Sequence, residues 1–116
     1  MILHQPDAPA DFAGVEAALL DAFHRSQEAA RNGEPIVYVL RQADLLGQDT
    51  VLGAMLASAL LSGVRTLAAE GHRANAIAVG DDPAHAEHWI GVLQQDVGLT
   101  GELIRLGPGH VGKALT

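Results

Sequence analysis

Pro35-Ile36-Val37-Tyr38-Val39-Leu40 is the stretch that decides how this chain folds. It is short, continuously apolar and rich in β-branched side chains, opened by a proline and closed by Arg41 and Gln42. An apolar run of this length without alternation is expected of a strand covered on both faces, as in a parallel sheet. Parallel strands need long, usually helical connections, and the flanking sequence supplies one on each side. Upstream, Asp11 is placed to cap a helix running to about Asn32 and stopped by Gly33. Phe12, Val15, Leu19, Ala22, Phe23 and Ala30 recur there at three- and four-residue steps, which makes one apolar face. Downstream, a polar loop over residues 41–49 leads to a second helix over roughly residues 50–70, ended by Gly71.

Moving outward, residues 73–79 read as another strand. Asp82-Pro83 starts a helix, with an acid at the cap and a proline in the first turn, that runs to about Asp96. Ala86, Trp89, Ile90 and Leu93 form its apolar face. Gly98 and Gly101 flank a turn before a last strand over residues 102–106, and the glycine-rich residues 107–116 read as an irregular tail. Ile2-Leu3-His4 offers one further edge strand. The order (β)αβαβαβ predicts an α/β fold: a three- to four-stranded parallel sheet with right-handed crossovers and helices on both faces. The helix over residues 50–70 is apolar almost all round, so it is expected to be buried on two sides, one against the sheet and one against a partner subunit.

Composition narrows the function classes. The chain has 116 residues, enough for one domain, and is 48% hydrophobic and 18% charged, as a folded protein is. A formal charge of −7, with seven scattered basic residues of which Lys113 is the only lysine, argues against nucleic acid. Cysteine is absent, which removes disulfides and thiol chemistry. No signal peptide opens the chain and no apolar run approaches the ~18 residues of a membrane span, so a cytoplasmic protein is expected.

Three segments taken together resemble the short-chain dehydrogenase/reductase family. Leu61-Ser62-Gly63-Val64-Arg65-Thr66-Leu67-Ala68-Ala69-Glu70 is similar to the end of that family's long fifth helix. Arg73-Ala74-Asn75-Ala76-Ile77-Ala78-Val79-Gly80 is similar to its R-V-N-A-V-A-P-G strand and loop. Leu99-Thr100-Gly101-Glu102-Leu103-Ile104-Arg105-Leu106-Gly107-Pro108-Gly109 is similar to its closing T-G-x-x-x-x-V-D-G-G segment. The resemblance covers nearly the whole chain and corresponds to the second half of a family member. It implies a partial Rossmann-like domain over residues 1–116 without the dinucleotide-binding half.

The departures bear on chemistry. Neither the family's T-G-x-x-x-G-x-G turn, which brings backbone amides to a pyrophosphate, nor room for it is present. The family's catalytic tyrosine stands four residues before its lysine. Counting back from Arg65, the resemblance puts Gly53 and Ala57 at those positions, and neither side chain can exchange a proton. Leu40-Arg41 stand where the family serine belongs, and Val79 where its proline follows the sixth strand. No catalytic residue and no cofactor is therefore expected.

Other motifs carry little. Gly107-Pro108-Gly109-His110-Val111-Gly112-Lys113-Ala114 approximates a phosphate-binding loop but ends in alanine in place of the Mg²⁺-binding hydroxyl, with only two residues to follow. Asp81, Asp82, His85 and His88 could face a metal ion from one helix start, but acids belong at that end for the sake of the helix dipole, and no metal site is assigned. Asp44, Asp49, Glu16 and Glu28 form no recognisable acid–nucleophile pair, and Tyr38 is explained by packing. What remains is the pair of long helices. Family members commonly pair the equivalent helices into a four-helix bundle, which implies an interface of Gly53, Leu56, Ala57, Leu60, Val64, Val15, Leu19 and Phe23. The expected function is that of a catalytically inactive dehydrogenase-like subunit forming a homodimer or homotetramer, or joining an active relative. The alternatives are a small-ligand module using Arg41, Asn75 and Asp81 beyond the ends of the strands, or a degenerate oxidoreductase subunit completed by an active partner.

Overall fold

The computed structural model describes residues 1–80 and 83–106. Its elements are β1 (Ile2–His4), α1 (Phe12–Arg31), β2 (Ile36–Arg41), α2 (Gln42–Leu45), α3 (Val51–Ala69), β3 (Ala74–Val79), α4 (Ala86–Leu93) and β4 (Leu103–Leu106). The four strands form one parallel sheet in the order β1-β2-β3-β4. The apolar run around Tyr38 is indeed an interior strand, with Ile36, Val37, Tyr38 and Leu40 all buried.

Side-chain alternation along β2 sorts the core into two layers. Ile36, Tyr38 and Leu40 join Leu3, Ala74, Ala76 and Ala78 beneath α1 and α3, where Leu56, Ala57, Leu60 and Val64 meet them. Val37 and Ile77 face the opposite way, onto Ile90 and Leu93 of α4, with Trp89 and Ile104 alongside. Three alanines on one face of β3 leave only methyl groups under α3, so the larger Leu56, Leu60 and Val64 can settle close to the sheet.

Helices on both faces agree with expectation, but uniform crossovers do not follow. The strands advance steadily in one direction, while α1 and α3 lie on one face and α4 on the other. The β3–α4–β4 connection therefore has the opposite hand to the two before it. Sequence order cannot reveal this, because hand depends on which face the connecting helix covers.

The helix boundaries of α1 and α3 follow their caps. Asp11 accepts a hydrogen bond from the Gly14 amide at 2.8 Å, and Thr50 accepts one from Gly53 at 3.0 Å. At the far end of α3, Gly71 takes φ +96°, a left-handed conformation that costs glycine little, and the His72 amide returns to the Leu67 carbonyl. Two expectations fail. The polar loop after β2 contains α2, whose Leu45 is buried and so secures one helical turn to the domain. The fourth helix starts at Ala86, not at Pro83, and ends at Leu93; His85 offers no side-chain cap, and Asp81 and Asp82 lie outside the described residues.

The helix α3 also corrects the reading of hydropathy: its 19 residues are long and apolar enough to cross a membrane by length and composition. Polar Ser58, Ser62, Arg65 and Thr66 interrupt the run in sequence, which hides this property. In the fold, Leu56, Ala57, Leu60, Leu61 and Val64 serve as core, as in a central helix of an α/β domain.

Candidate functional site

In parallel α/β sheets, ligands sit beyond the carboxyl ends of the strands. That end carries a compact polar network. Gln5, just past β1, accepts a hydrogen bond from the Arg41 amide (2.9 Å) through its carbonyl and donates to Asp44 Oδ2 (2.7 Å) through its amide. Arg41, at the end of β2, spreads its guanidinium over three partners. Nε lies 3.2 Å from Asp44 Oδ2, in ion-pair range but poorly aligned for a hydrogen bond. Nη1 reaches Asp7 at 3.3 Å, and Nη2 donates to the Pro6 carbonyl. Arg41 thus fastens the β1–α1 loop to α2, with Nη1 and Nη2 each bonded to the chain itself and Nε left without a hydrogen bond among the described residues.

Asp44 is the centre of this network and is 2% exposed. Oδ2 takes both partners, while Oδ1, like Gln42 Oε1, has no hydrogen-bond partner among the described residues. The reason lies in α3: a Cβ on Gly53 would stand 2.6 Å from Asp44 Oδ1. Only glycine lets the carboxylate lie this near the helix. Beside the network is a cleft of about 430 Å³ lined by His4, Gln5, Arg41, Val79 and Glu87. Among the described residues it holds no nucleophile paired with a base.

The expected ligand contacts do not converge. Arg41 borders the cleft, with its Nη1 and Nη2 groups bonded to Asp7 and the Pro6 carbonyl. Asn75 sits near the opposite end of its strand, where its amide donates to the Leu99 carbonyl (3.0 Å) and its carbonyl accepts from the Glu102 amide (3.1 Å). Asp81 lies outside the described residues, as does the phosphate-loop-like stretch 107–114. The Thr100 hydroxyl donates to the His72 carbonyl at 2.7 Å, and the Gly101 amide to the Ala74 carbonyl at 2.7 Å, with Gly101 at φ +74°. The segments behind the family resemblance around Asn75 and Thr100 therefore form one structural staple joining β3 to the approach of β4. Among the described residues no cluster of three or more metal-ligating side chains occurs; His85 and His88 are exposed, and His88 stands edge-on to Trp89.

The residues of the expected helical interface do not share one exposed face. Val15, Gly53, Leu56, Ala57, Leu60 and Val64 are buried within the chain, Leu19 is half-buried and Phe23 exposed. The outward apolar side chains are Phe12, Leu20 and Phe23 on α1, with Val51 and Met55 on α3. Periodicity identifies apolar stripes, but on a helix apolar nearly all round it cannot say which stripe the sheet takes.

Between these outer faces runs a mainly apolar groove of about 500 Å³. Ser26 of α1 and Tyr38 of β2, both buried, share a hydrogen bond of 2.6 Å at its inner end. Packing alone therefore does not account for Tyr38. The sequence does carry a signal for the pair: Ser26 falls on the same stripe as Val15, Leu19, Ala22 and Ala29, a polar residue where the spacing demands an apolar one. Burial pushes the Tyr38 phenol above its ordinary value of 10.0, more than the Ser26 hydrogen bond and the Arg25 charge lower it. The folded state thus keeps its proton where the unfolded chain would lose it. That contribution is complete below pH ~10 and fades as pH rises above it. Because Tyr38 is the sole tyrosine, tyrosinate absorbance titrates it directly. The expected result is a midpoint above pH 10 in the folded protein, with urea stability falling over that range more steeply than in Tyr38→Phe.

No family model matches the chain, and no curated protein matches its sequence. Among solved structures, the crystal structure of a small-chain dehydrogenase superposes with a TM-score of 0.68 over 95% of this chain and 69% of its own, at 20% sequence identity. At that identity the likeness establishes the fold: a Rossmann-like parallel α/β sheet with flanking helices.

Proposed function

We propose that this chain is a non-catalytic subunit of short-chain dehydrogenase type, associating through the outer faces of α1 and α3 with a second copy or with an active relative. The observation that carries the reading is the apolar surface on those two helices. Phe12 is 68% exposed, Phe23 56% and Val51 75%, an arrangement that a lone soluble domain seldom maintains. The missing chemistry supports it from the other side: the positions that the resemblance equates with the tyrosine and lysine are Gly53 and Ala57, both buried.

Light scattering over a dilution series tests the association. The expected parent species is a dimer or tetramer, and the double variant Leu20→Glu, Phe23→Glu is expected to run as a folded monomer. Both side chains are exposed in one chain, so their replacement costs the fold within about 0.5 kcal/mol. A clean, stable monomer at every concentration would sink the reading, while a monomer that aggregates would point to the active relative as its partner.

The cleft beyond β2 and β3 favours a second reading, a small-ligand module, since about 430 Å³ suits a compact ligand. A third has an active partner supplying the groups for hydride transfer. Dinucleotide titration separates them: binding or turnover by the chain alone would contradict the leading proposal, and turnover only with a partner would favour the third.

A further inference from the structure

The groove between α1 and α3 has one feature that helix packing leaves unexplained. Two buried hydroxyls, Ser26 and Tyr38, meet at its inner end, and neither has another hydrogen-bond partner among the described residues. A single bond between two hydroxyls uses one of their two hydrogens. Whichever hydroxyl donates to the other, the second keeps an O–H without an acceptor, in surroundings where an unmet donor is costly. Water or the tip of an apolar partner side chain would fill this space differently: the first would be wasted on the apolar walls, the second would leave the donor unmet.

We propose that this groove is a binding site for a neutral, largely apolar small molecule whose one hydrogen-bond acceptor, a keto or hydroxyl oxygen, meets the Ser26–Tyr38 pair. The volume of about 500 Å³ lies in the range of ligand pockets. Leu19, Leu60 and Leu67 supply apolar walls. Glu16 and Glu70, both exposed, border the groove. Their charge disfavours a carboxylate or sulfonate of the same shape, which selects against fatty acids and for uncharged compounds. Every residue of the site belongs to one chain, and Leu20 and Phe23, which the proposed association also uses, line it as well.

Gly63 makes the proposal testable without disturbing the core. It lies on the groove in the middle of α3, and a Cβ there would meet nothing within 4 Å. Leucine at this position fills the groove and also favours the helix. The probe is a neutral dimethylamino-naphthyl ketone, whose emission strengthens and shifts to the blue in an apolar, hydrogen-bonding site, compared with anilinonaphthalene sulfonate. The expected result is saturable binding of one ketone per chain, with the sulfonate weaker by about tenfold or more. Gly63→Leu is expected to lose the ketone signal while its thermal midpoint stays level or rises. Tyr38→Phe, checked for a cooperative unfolding transition, is expected to weaken the ketone by about fivefold, as loss of one hydrogen bond would. Equal ketone binding by Gly63→Leu, or a sulfonate that binds as tightly as the ketone, overturns the proposal.

Discussion

Replacing Gly53 by tyrosine and Ala57 by lysine, the pair that the family resemblance would call for, is expected to abolish folding and not to create an oxidoreductase. Ala57 is 0% exposed and packs with Leu56, Leu60 and the alanines of β3. A lysine there must bury its ammonium among methyl groups or push α3 off the sheet, and unpaired buried charge costs several kcal/mol. At Gly53 the first added carbon already stands 2.6 Å from Asp44 Oδ1, before any ring is placed. Against a total stability of about 5–15 kcal/mol for a domain of this kind, the two insults together leave little. Urea unfolding followed by the fluorescence of Trp89, the single tryptophan, reads the outcome. The parent is expected to give one cooperative transition, and the double variant none. Ala57→Lys alone is expected to carry most of the loss. A stably folded double variant would mean that the two positions are open as the resemblance implies and not packed as in this structure, and hydride-transfer assays would then be worth making.

The second large effect is expected at Asp44. Asp44→Ala removes the acceptor that holds Gln5 and Arg41 together, leaving the Gln5 amide without its 2.7 Å partner. Breaking a buried ion pair costs about 3–5 kcal/mol when the surviving charge is stranded. Here Arg41 is 42% exposed and keeps Asp7 and the Pro6 carbonyl, so the expected loss is nearer ~2 kcal/mol. Gly53→Ala in the parent is expected to cost about 1–3 kcal/mol through the collision with the same carboxylate. In the Asp44→Ala background the contact with the carboxylate disappears while the 2.8 Å contact with Thr50 Oγ1 remains, so the second substitution should be cheaper there by about 1 kcal/mol. Denaturant midpoints of the four proteins give the coupling. Additive losses would show that the cost at Gly53 comes from Thr50 or the backbone and not from the space it leaves to Asp44.

Particular residues show where sequence sufficed. Asp11, Thr50 and Gly71 announce the ends of α1 and α3 because capping is local: the cap side chain or glycine acts within a few residues along the chain. The unbroken apolar run at β2 announces a strand covered twice, since only a parallel sheet's interior hides both faces. The alternation of strands and helices then leaves little choice of topology. The parallel sheet and the Rossmann-like class are therefore legible in the order of residues alone.

The sites are not. Periodicity puts Leu56 and Val64 on the expected interface, yet both are buried within the chain and the exposed apolar side chains are Phe12, Leu20, Phe23, Val51 and Met55, because an almost wholly apolar helix does not declare its inner side. Asn75 looks available to a ligand but is consumed by Leu99 and Glu102, and Arg41 is drawn toward Asp44, Asp7 and Pro6, partners that no spacing rule identifies. The meeting of Ser26 with Tyr38, and of Asp44 with Gly53, likewise exists only once α1 and α3 are laid on the sheet. Local propensity and hydrophobic pattern thus determined the elements and their order in this protein. Which faces turn inward, which polar atoms are satisfied and which remain open were decided by long-range packing, because each depends on atoms that the chain brings together only in three dimensions.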